Sequence, residues 1–283
     1  ATPSTATGST YAISANAAAM RVSTAFASLL SLASCAVFAS LAIFITGAAG
    51  SIGKYLRAGF QDRYHLKLTD IKDEEGADIT IADLRKIDDM IDITRGVDIV
   101  IHLAAHPGDR DFHTLLLPDN IEGTFNVFEA CRQNKVERIV YASTNHVIDG
   151  YTKDHYVTAD MAIRPDSMYA VTKQFGESLG CHYSDKHGMS IVCVRIGSPL
   201  PDDHPGLKTG RRALSTWLSI RDMVQLFGLC IDVEGLTFEI FHGISANARR
   251  YWDIYHAQQV LGYEPQDNAE QFAADVEAHE KSK

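Results

Sequence analysis

Gly47-Ala48-Ala49-Gly50-Ser51-Ile52-Gly53, placed directly after the apolar run 41–45, is the stretch whose reading decides the fold. An apolar strand, a glycine-rich turn and a helix-compatible continuation make the strand–turn–helix unit that seats a dinucleotide. Glycine lets the backbone turn tightly and approach a pyrophosphate, whose charge meets unpaired amides in the first turn of the following helix. Gly47, Gly50, Ser51, Ile52 and Gly53 are therefore candidate cofactor contacts. A glycine-rich turn alone is weak evidence. Its weight comes from three signals that succeed it in order along the chain: an Asp closing the next strand, a Ser-Thr pair, then a Tyr and a Lys at helical spacing.

Outward from the turn, short β-branched runs alternate with helical patterns. Strands are expected at 41–46, 65–69, 78–81, 97–103, 138–142, 190–196 and 236–241. Helices are expected at 51–61, 84–94, 120–133, 168–186, 219–230, 255–261 and 269–280. This alternation predicts an α/β fold, a Rossmann-type doubly wound parallel sheet with ligands at the strands' carboxyl ends and a small C-terminal substrate-binding portion. The Pro-, Gly- and Asp-rich stretch 198–210 reads as a loop placed to cover a ligand. Residues 41–283 thus form the expected domain, with substrate-binding elements mainly in 198–283.

The segment before it has a different composition. Residues 1–53 carry one charge, Arg21, and no acid precedes Asp62. Residues 1–40 read as a leader or extension outside the fold. Residues 22–40 resemble a signal h-region, with Val37-Phe38-Ala39 as a small-residue cleavage site. The Ser and Thr content equally suits a transit segment, or upstream sequence ahead of an internal start near Met20. A nicotinamide cofactor is supplied inside cells, so the expected location is cytoplasmic.

The full chain has 283 residues, 46% hydrophobic and 22% charged, which fits one large globular domain and excludes pervasive disorder. A net charge of −10 offers no basic stripe for a phosphate backbone, so nucleic acid is not an expected partner. No membrane is expected for the folded domain either, and a homo-oligomer is left open. Cys35, Cys131, Cys181, Cys193 and Cys230 lack metal-like spacing and read as reduced core residues. No metal is implied.

Asp70 stands 17 positions after Gly53, where a carboxylate can accept bonds from both hydroxyls of an adenosine ribose. That favours NAD, while Lys72 leaves tolerance for NADP. Asp83 and Leu84, after the third strand, can flank adenine, or Asp83 can simply cap a helix. Tyr169 and Lys173 are four apart and share a helix face, so an ammonium beside the phenol would favour the phenolate and give a base. Lowering a phenol from about 10 toward neutrality takes about 4 kcal/mol. Thr144, with Ser143 as understudy, can hold the reacting oxygen. Asn145 and His146 extend this polar strand end, Asn120 opens the preceding helix, and the cluster suggests a sugar site. His146 can also be an ordinary hydrogen-bonded loop histidine, and His102 reads as buried and satisfied. Arg211 and Arg212 can grip a carboxylate or phosphate, or be a solvated pair.

Together, Thr46 to Gly53, His102-Leu103-Ala104-Ala105, Ser143-Thr144 and Tyr169-Ala170-Val171-Thr172-Lys173 resemble the extended short-chain dehydrogenase/reductase superfamily. More narrowly, Ala142-Ser143-Thr144-Asn145-His146, Arg164-Pro165-Asp166, Val194-Arg195-Ile196-Gly197-Ser198, Leu214-Ser215-Thr216-Trp217 and Ser245-Ala246-Asn247 resemble uronate dehydrogenases and related sugar dehydrogenases. The resemblance implies NAD-dependent oxidation of a hexuronate, galacturonate or glucuronate, at C1 to an aldarolactone. It makes Tyr169 the base, Lys173 its electrostatic support and Thr144 the hydroxyl's positioner. It adds Leu103, Ala104, Ala105, Asn120, Tyr169, Lys173 and Ile196 to the cofactor contacts, and gives Ser143, Thr144, Asn145, His146, Ser198 and Arg212 to the substrate. His106-Pro107 departs from the smaller polar contact of that family, and the connection from there to Asn120 reads as longer. Alternatives are a sugar-phosphate dehydrogenase of glucose 6-phosphate type, a sugar-nucleotide epimerase, and an NAD-binding sensor without turnover. The epimerase is disfavoured because about 110 residues follow Lys173, little for a nucleotide-binding lobe.

Overall fold

The computed structural model describes residues 41–283, so the leader expected at 1–40 lies outside the described residues. The strands are β1 (Ala42–Thr46), β2 (His65–Asp70), β3 (Ile79–Ile81), β4 (Ile99–His102), β5 (Arg138–Thr144), β6 (Ser190–Ile196), β7 (Ser198–Pro199), β8 (Trp217–Leu218) and β9 (Phe238–Gly243). The helices are α1 (Ser51–Phe60), α2 (Ile87–Ile93), α3 (Gly123–Asn134), α4 (Met168–His187), α5 (Ala213–Thr216), α6 (Ile220–Asp232), α7 (Tyr255–Leu261) and α8 (Ala273–Lys281).

Seven strands form one sheet in the order β3-β2-β1-β4-β5-β6-β9, and every pairing is parallel. β4 and β5 are buried throughout, as expected of strands covered on both faces, and this is why they read as continuous apolar runs. One core layer sets Ile43, Ile45, Ile101 and Val140 against Leu56 and Phe60 of α1 and Leu226 and Phe227 of α6. The opposite layer sets Phe44, Val100, Ile139 and Tyr141 against Val127 and Phe128 of α3 and Tyr183 of α4. Alternate residues of each strand thus supply opposite layers. The strand order reverses direction between β1 and β4, where such sheets bind ligands.

Two local expectations fail for physical reasons. The helix expected to open at Asn120 begins instead at Phe112, as a π-helical stretch, Phe112–Glu122, that runs into α3. Pro118 lies inside it and has no N–H to continue an ordinary α-ladder, and the first turn is held by the Asp111 side chain accepting from Thr114 N. The stretch 198–210 is not simply a loop. β7 pairs with β8, and Leu207, in the 3-10 turn Pro205–Lys208, is fully buried against Leu214, Trp217, Phe272 and Val276. A single anchor residue in a polar stretch leaves no periodic signal. Cys131, Cys193 and Cys230 are buried core residues as expected, but Cys181 is only half-buried, beside Asp185.

A buried ion pair ties α4 to the sheet. Arg195 of β6 donates Nε and Nη2 to Glu177 at 2.9 and 2.8 Å, and Ser143 Oγ donates to Glu177 Oε1 at 2.6 Å. Both charged side chains are at most 5% exposed. Replacing Glu177 by Ala should lower the unfolding free energy by about 3–5 kcal/mol, because Arg195 is left as an uncompensated buried charge. Urea unfolding checks this, and a loss within the range of ordinary surface substitutions would refute the role.

Candidate active site

The carboxyl ends of β1 and β4 are held by one hydroxyl. Thr46 Oγ1 accepts from Leu103 N and Ala104 N, both at 3.2 Å, and lies 2.8 Å from His102 Nδ1, so its own proton goes to the imidazole. His102 Nε2 then faces Thr124 Oγ1 at 3.3 Å. Burial pushes His102 down to about 3, so it stays neutral, buried and satisfied as its sequence context suggested.

Above this join lies a cleft of about 930 Å³, large enough for a dinucleotide and a small molecule together. Gly47, Gly50, Ser51, Ile52 and Gly53 form one wall, and Leu103, Ala104 and Ala105 face them from the end of β4. Gly47 has φ +69°, and a Cβ there would sit 2.8 Å from Ala104 N; one on Gly53 would sit 2.4 Å from Gly47 O. Only glycine permits this turn to close under α1, whose N-terminus receives no side-chain cap. A pyrophosphate fits those unshared amides. Asp70 anchors the turn by accepting Ala49 N at 2.9 Å, and it remains on the wall with acceptor capacity for ribose hydroxyls. Asp83 and Leu84 continue the wall, with the Asp83 carboxyl held below its usual range by Arg85, and Ile196 closes it from β6. The residues present fit a dinucleotide with a free ribose diol.

Asn120, expected at the cofactor, is not on the wall. It is buried, accepts His106 N at 2.8 Å and donates to His106 O and Thr172 Oγ1 at 3.1 Å. It therefore brackets the connection after β4 to α4 rather than touching the cleft. The same connection is tied a second time, where Asp109 accepts Tyr169 N at 3.0 Å.

Ser167 caps α4 by accepting Ala170 N, and this helix start brings Tyr169 and Lys173 to the wall beside Thr144. The electrostatics differ from the expectation of a lysine-lowered phenol. Burial pushes Tyr169 up to about 12, and the influence pulling it down is a hydrogen bond with Thr144. Burial likewise pushes Lys173 down to about 7, with Cys193 and Glu177 acting in the opposite sense. Its Nζ lies 4.3 Å above the Tyr141 ring. Desolvation outweighs the helical-neighbour effect because both groups sit on the inner face of α4. Ser143 cannot serve as understudy, since its hydroxyl is committed to Glu177.

Among the expected substrate contacts, Ser143, Thr144 and His146 are on the wall, and Asn145, Ser198 and Arg212 are not. Asn145 is buried beside Thr144, and its Nδ2 has no hydrogen-bond partner. Ser198 Oγ is taken up by Thr216 Oγ1 at 2.8 Å. Arg212 forms an ion pair with Asp149, which also accepts from Tyr251 Oη at 3.2 Å. His146 Nδ1 lies 2.7 Å from Asp166 Oδ2 and 3.9 Å from Asp149 Oδ2. These three could in principle gather a cation, but Arg212 and His146 already take up the two carboxylates. Of the stretch 198–283, only Pro199 reaches the wall; most of its sugar-side surface comes from 106–109, 114–119 and 166–167 instead. Asp109, Asp119, Asp149 and Glu177 went unrecognised in the sequence. Glu177 alone had a signal there, its position one turn beyond Lys173.

Residues 43–228 match the model of the NAD dependent epimerase/dehydratase family. The uronate dehydrogenase of Pseudomonas putida is 37% identical over 245 residues, covering 83% of this chain and 88% of that protein. The NAD-dependent glucose-6-phosphate dehydrogenase of Haloferax volcanii is 35% identical over 256 residues, covering 83% and 97%. The crystal structure of a mutant uronate dehydrogenase from Agrobacterium tumefaciens complexed with NAD superposes with a TM-score of 0.79 at 33% identity, covering 85% of this chain and 90% of that one. With the glycine turn, Asp70 and the Tyr169–Lys173 helix all meeting in one cleft, the chain belongs to the NAD dependent epimerase/dehydratase family.

Proposed function

We propose that this protein is an NAD-dependent dehydrogenase that oxidises a hexuronate, galacturonate or glucuronate, at C1 to the aldarolactone. The observation that carries the reading is the placement of the Tyr169 phenol, with Thr144 and Lys173, in the same cleft as the glycine turn. The names of the relatives support the substrate class, and the residues support the chemistry. NAD supplies the acceptor for the hydride that leaves C1, together with a positive charge in the site.

Tyr169 Oη takes the proton of the anomeric hydroxyl, and Thr144 bonds both that phenol and the reacting oxygen. Lys173, poised near neutrality in its own titration, moves the proton onward and limits the cost of a buried phenolate. His146, on the cleft wall and fixed by Asp166, supplies a polar contact for the sugar. Arg212, off the cleft wall and paired with Asp149, is assigned to the substrate carboxylate and must share or leave that pair to meet it. Asp70 favours the free ribose of NAD by repelling a 2'-phosphate.

Appearance of NADH with galacturonate or glucuronate tests the proposal. Turnover with glucose 6-phosphate alone would move the assignment to a sugar-phosphate dehydrogenase, and NAD binding without turnover on any sugar would make the protein a sensor. Tyr169→Phe should keep NAD affinity and lose at least about 10²-fold in kcat. Because Lys173 must be neutral to take the proton on from Tyr169, kcat/KM for oxidation should rise with pH up to about 7, where the amine gives up its own proton, and level off above it. A profile with no rise below that point would remove the Tyr169–Lys173 pair as the base. Arg212→Ala should raise KM for galacturonate while leaving the inhibition constant of galactose, its neutral counterpart, unchanged; equal effects on both would end the carboxylate role.

A further inference from the structure

The wall around Tyr169 carries carboxylates as well as the Lys173 amine. Asp109 and Asp166 stand on it, and the imidazole of His146 is already bonded to Asp166 at 2.7 Å. Arg212 is held away from it by a carboxylate of the chain itself. Asp149 has a side chain only 10% exposed, and it accepts from both Arg212 Nη1 and Tyr251 Oη. A guanidinium N–H and a phenol O–H are the donors that an incoming carboxylate would also seek. Trp252 lies under the guanidinium, 5.8 Å from ring centroid to Cζ, so an apolar face fixes the plane in which Arg212 can be approached.

We propose that Asp149 is a specificity-determining residue: an internal carboxylate that occupies Arg212 and must share or yield it when an anionic sugar binds. This rests on the reading of Arg212 as the substrate's cation. The pair tempers Arg212, so that a neutral sugar is not met by a bare buried-side charge and an anionic one gains only the difference between its own contact and that of Asp149. A released Asp149 keeps the Tyr251 hydroxyl as a donor, 3.2 Å from its Oδ1. The exchange therefore leaves the carboxylate hydrogen-bonded. The strength of anion selection becomes a property of the Asp149–Arg212 pair rather than of Arg212 alone.

Asp149→Asn removes the charge and keeps an acceptor for Tyr251 and Arg212. It should lower KM for galacturonate by about fivefold, the scale of one partly screened ion pair, and change the inhibition constant of galactose by less than about twofold. The double variant Asp149→Asn with Arg212→Ala should match Arg212→Ala alone, because the carboxylate acts only through the guanidinium. Asp149→Ser gives the same charge change in a smaller side chain, and melting temperature checks that either variant is folded. If galacturonate KM is unchanged or rises in both folded variants while Arg212→Ala still impairs anionic sugars, Asp149 merely orients Arg212 and this proposal falls alone. If Arg212→Ala has no charge-selective effect, the underlying reading of Arg212 falls and takes this one with it.

Discussion

The hydroxyl of Thr46 is the join on which the site depends. It receives the two amides that follow β4 and gives its proton to His102, so the carboxyl ends of β1 and β4 are held together in a fixed geometry. The glycine turn sits against this join, close enough to Ala104 that no side chain could stand at Gly47. Asp70 draws the same turn toward β2 through Ala49 N. Pyrophosphate amides, ribose acceptor and the floor of the cleft are therefore consequences of one arrangement of strand ends rather than separate features.

On the other side of the cleft, burial governs the chemistry. The phenol of Tyr169 and the amine of Lys173 are both shifted toward their neutral forms, in opposite directions. A pair in this condition exchanges a proton at lower cost than one locked as phenolate and ammonium. The ion pair of Glu177 and Arg195 lies one helical turn behind, fixing α4 against β5 and β6 through Ser143. The consecutive residues Ser143 and Thr144 thus take different partners, Ser143 bonding Glu177 and Thr144 bonding Tyr169.

The C-terminal portion acts on the site from behind its wall. One small core, with Val147, Ile148, Ile244, Tyr251 and Trp252, sets the height of the turn that carries His146 and Asp149. Another, around Trp217 and Phe272, fixes the short helix that starts just after Arg212. Relatives named for a uronate and for a sugar phosphate share most of this chain's length, so differences in substrate are best sought in how these two small cores present a few polar groups.

Much of this was legible in the sequence. The parallel sheet, the glycine turn, Asp70 and the Tyr169–Lys173 pair are local patterns: apolar runs of strand length, a turn only glycine can make, residues four apart on a helix. Each is fixed by backbone sterics and periodicity within a few neighbours, so it survives reading one residue at a time. What only the tertiary structure decided is the company each side chain keeps. Asn120 looked like a ligand contact and became a bracket, Ser143 turned from the sugar to Glu177, and Arg212 was claimed by Asp149, 63 positions away in the chain. The electrostatics of Tyr169 and Lys173 likewise followed burial, which depends on β5, β6 and α4 packing together. Hydrogen-bond partners and desolvation are set by contacts between distant segments, and no spacing rule along the chain encodes them.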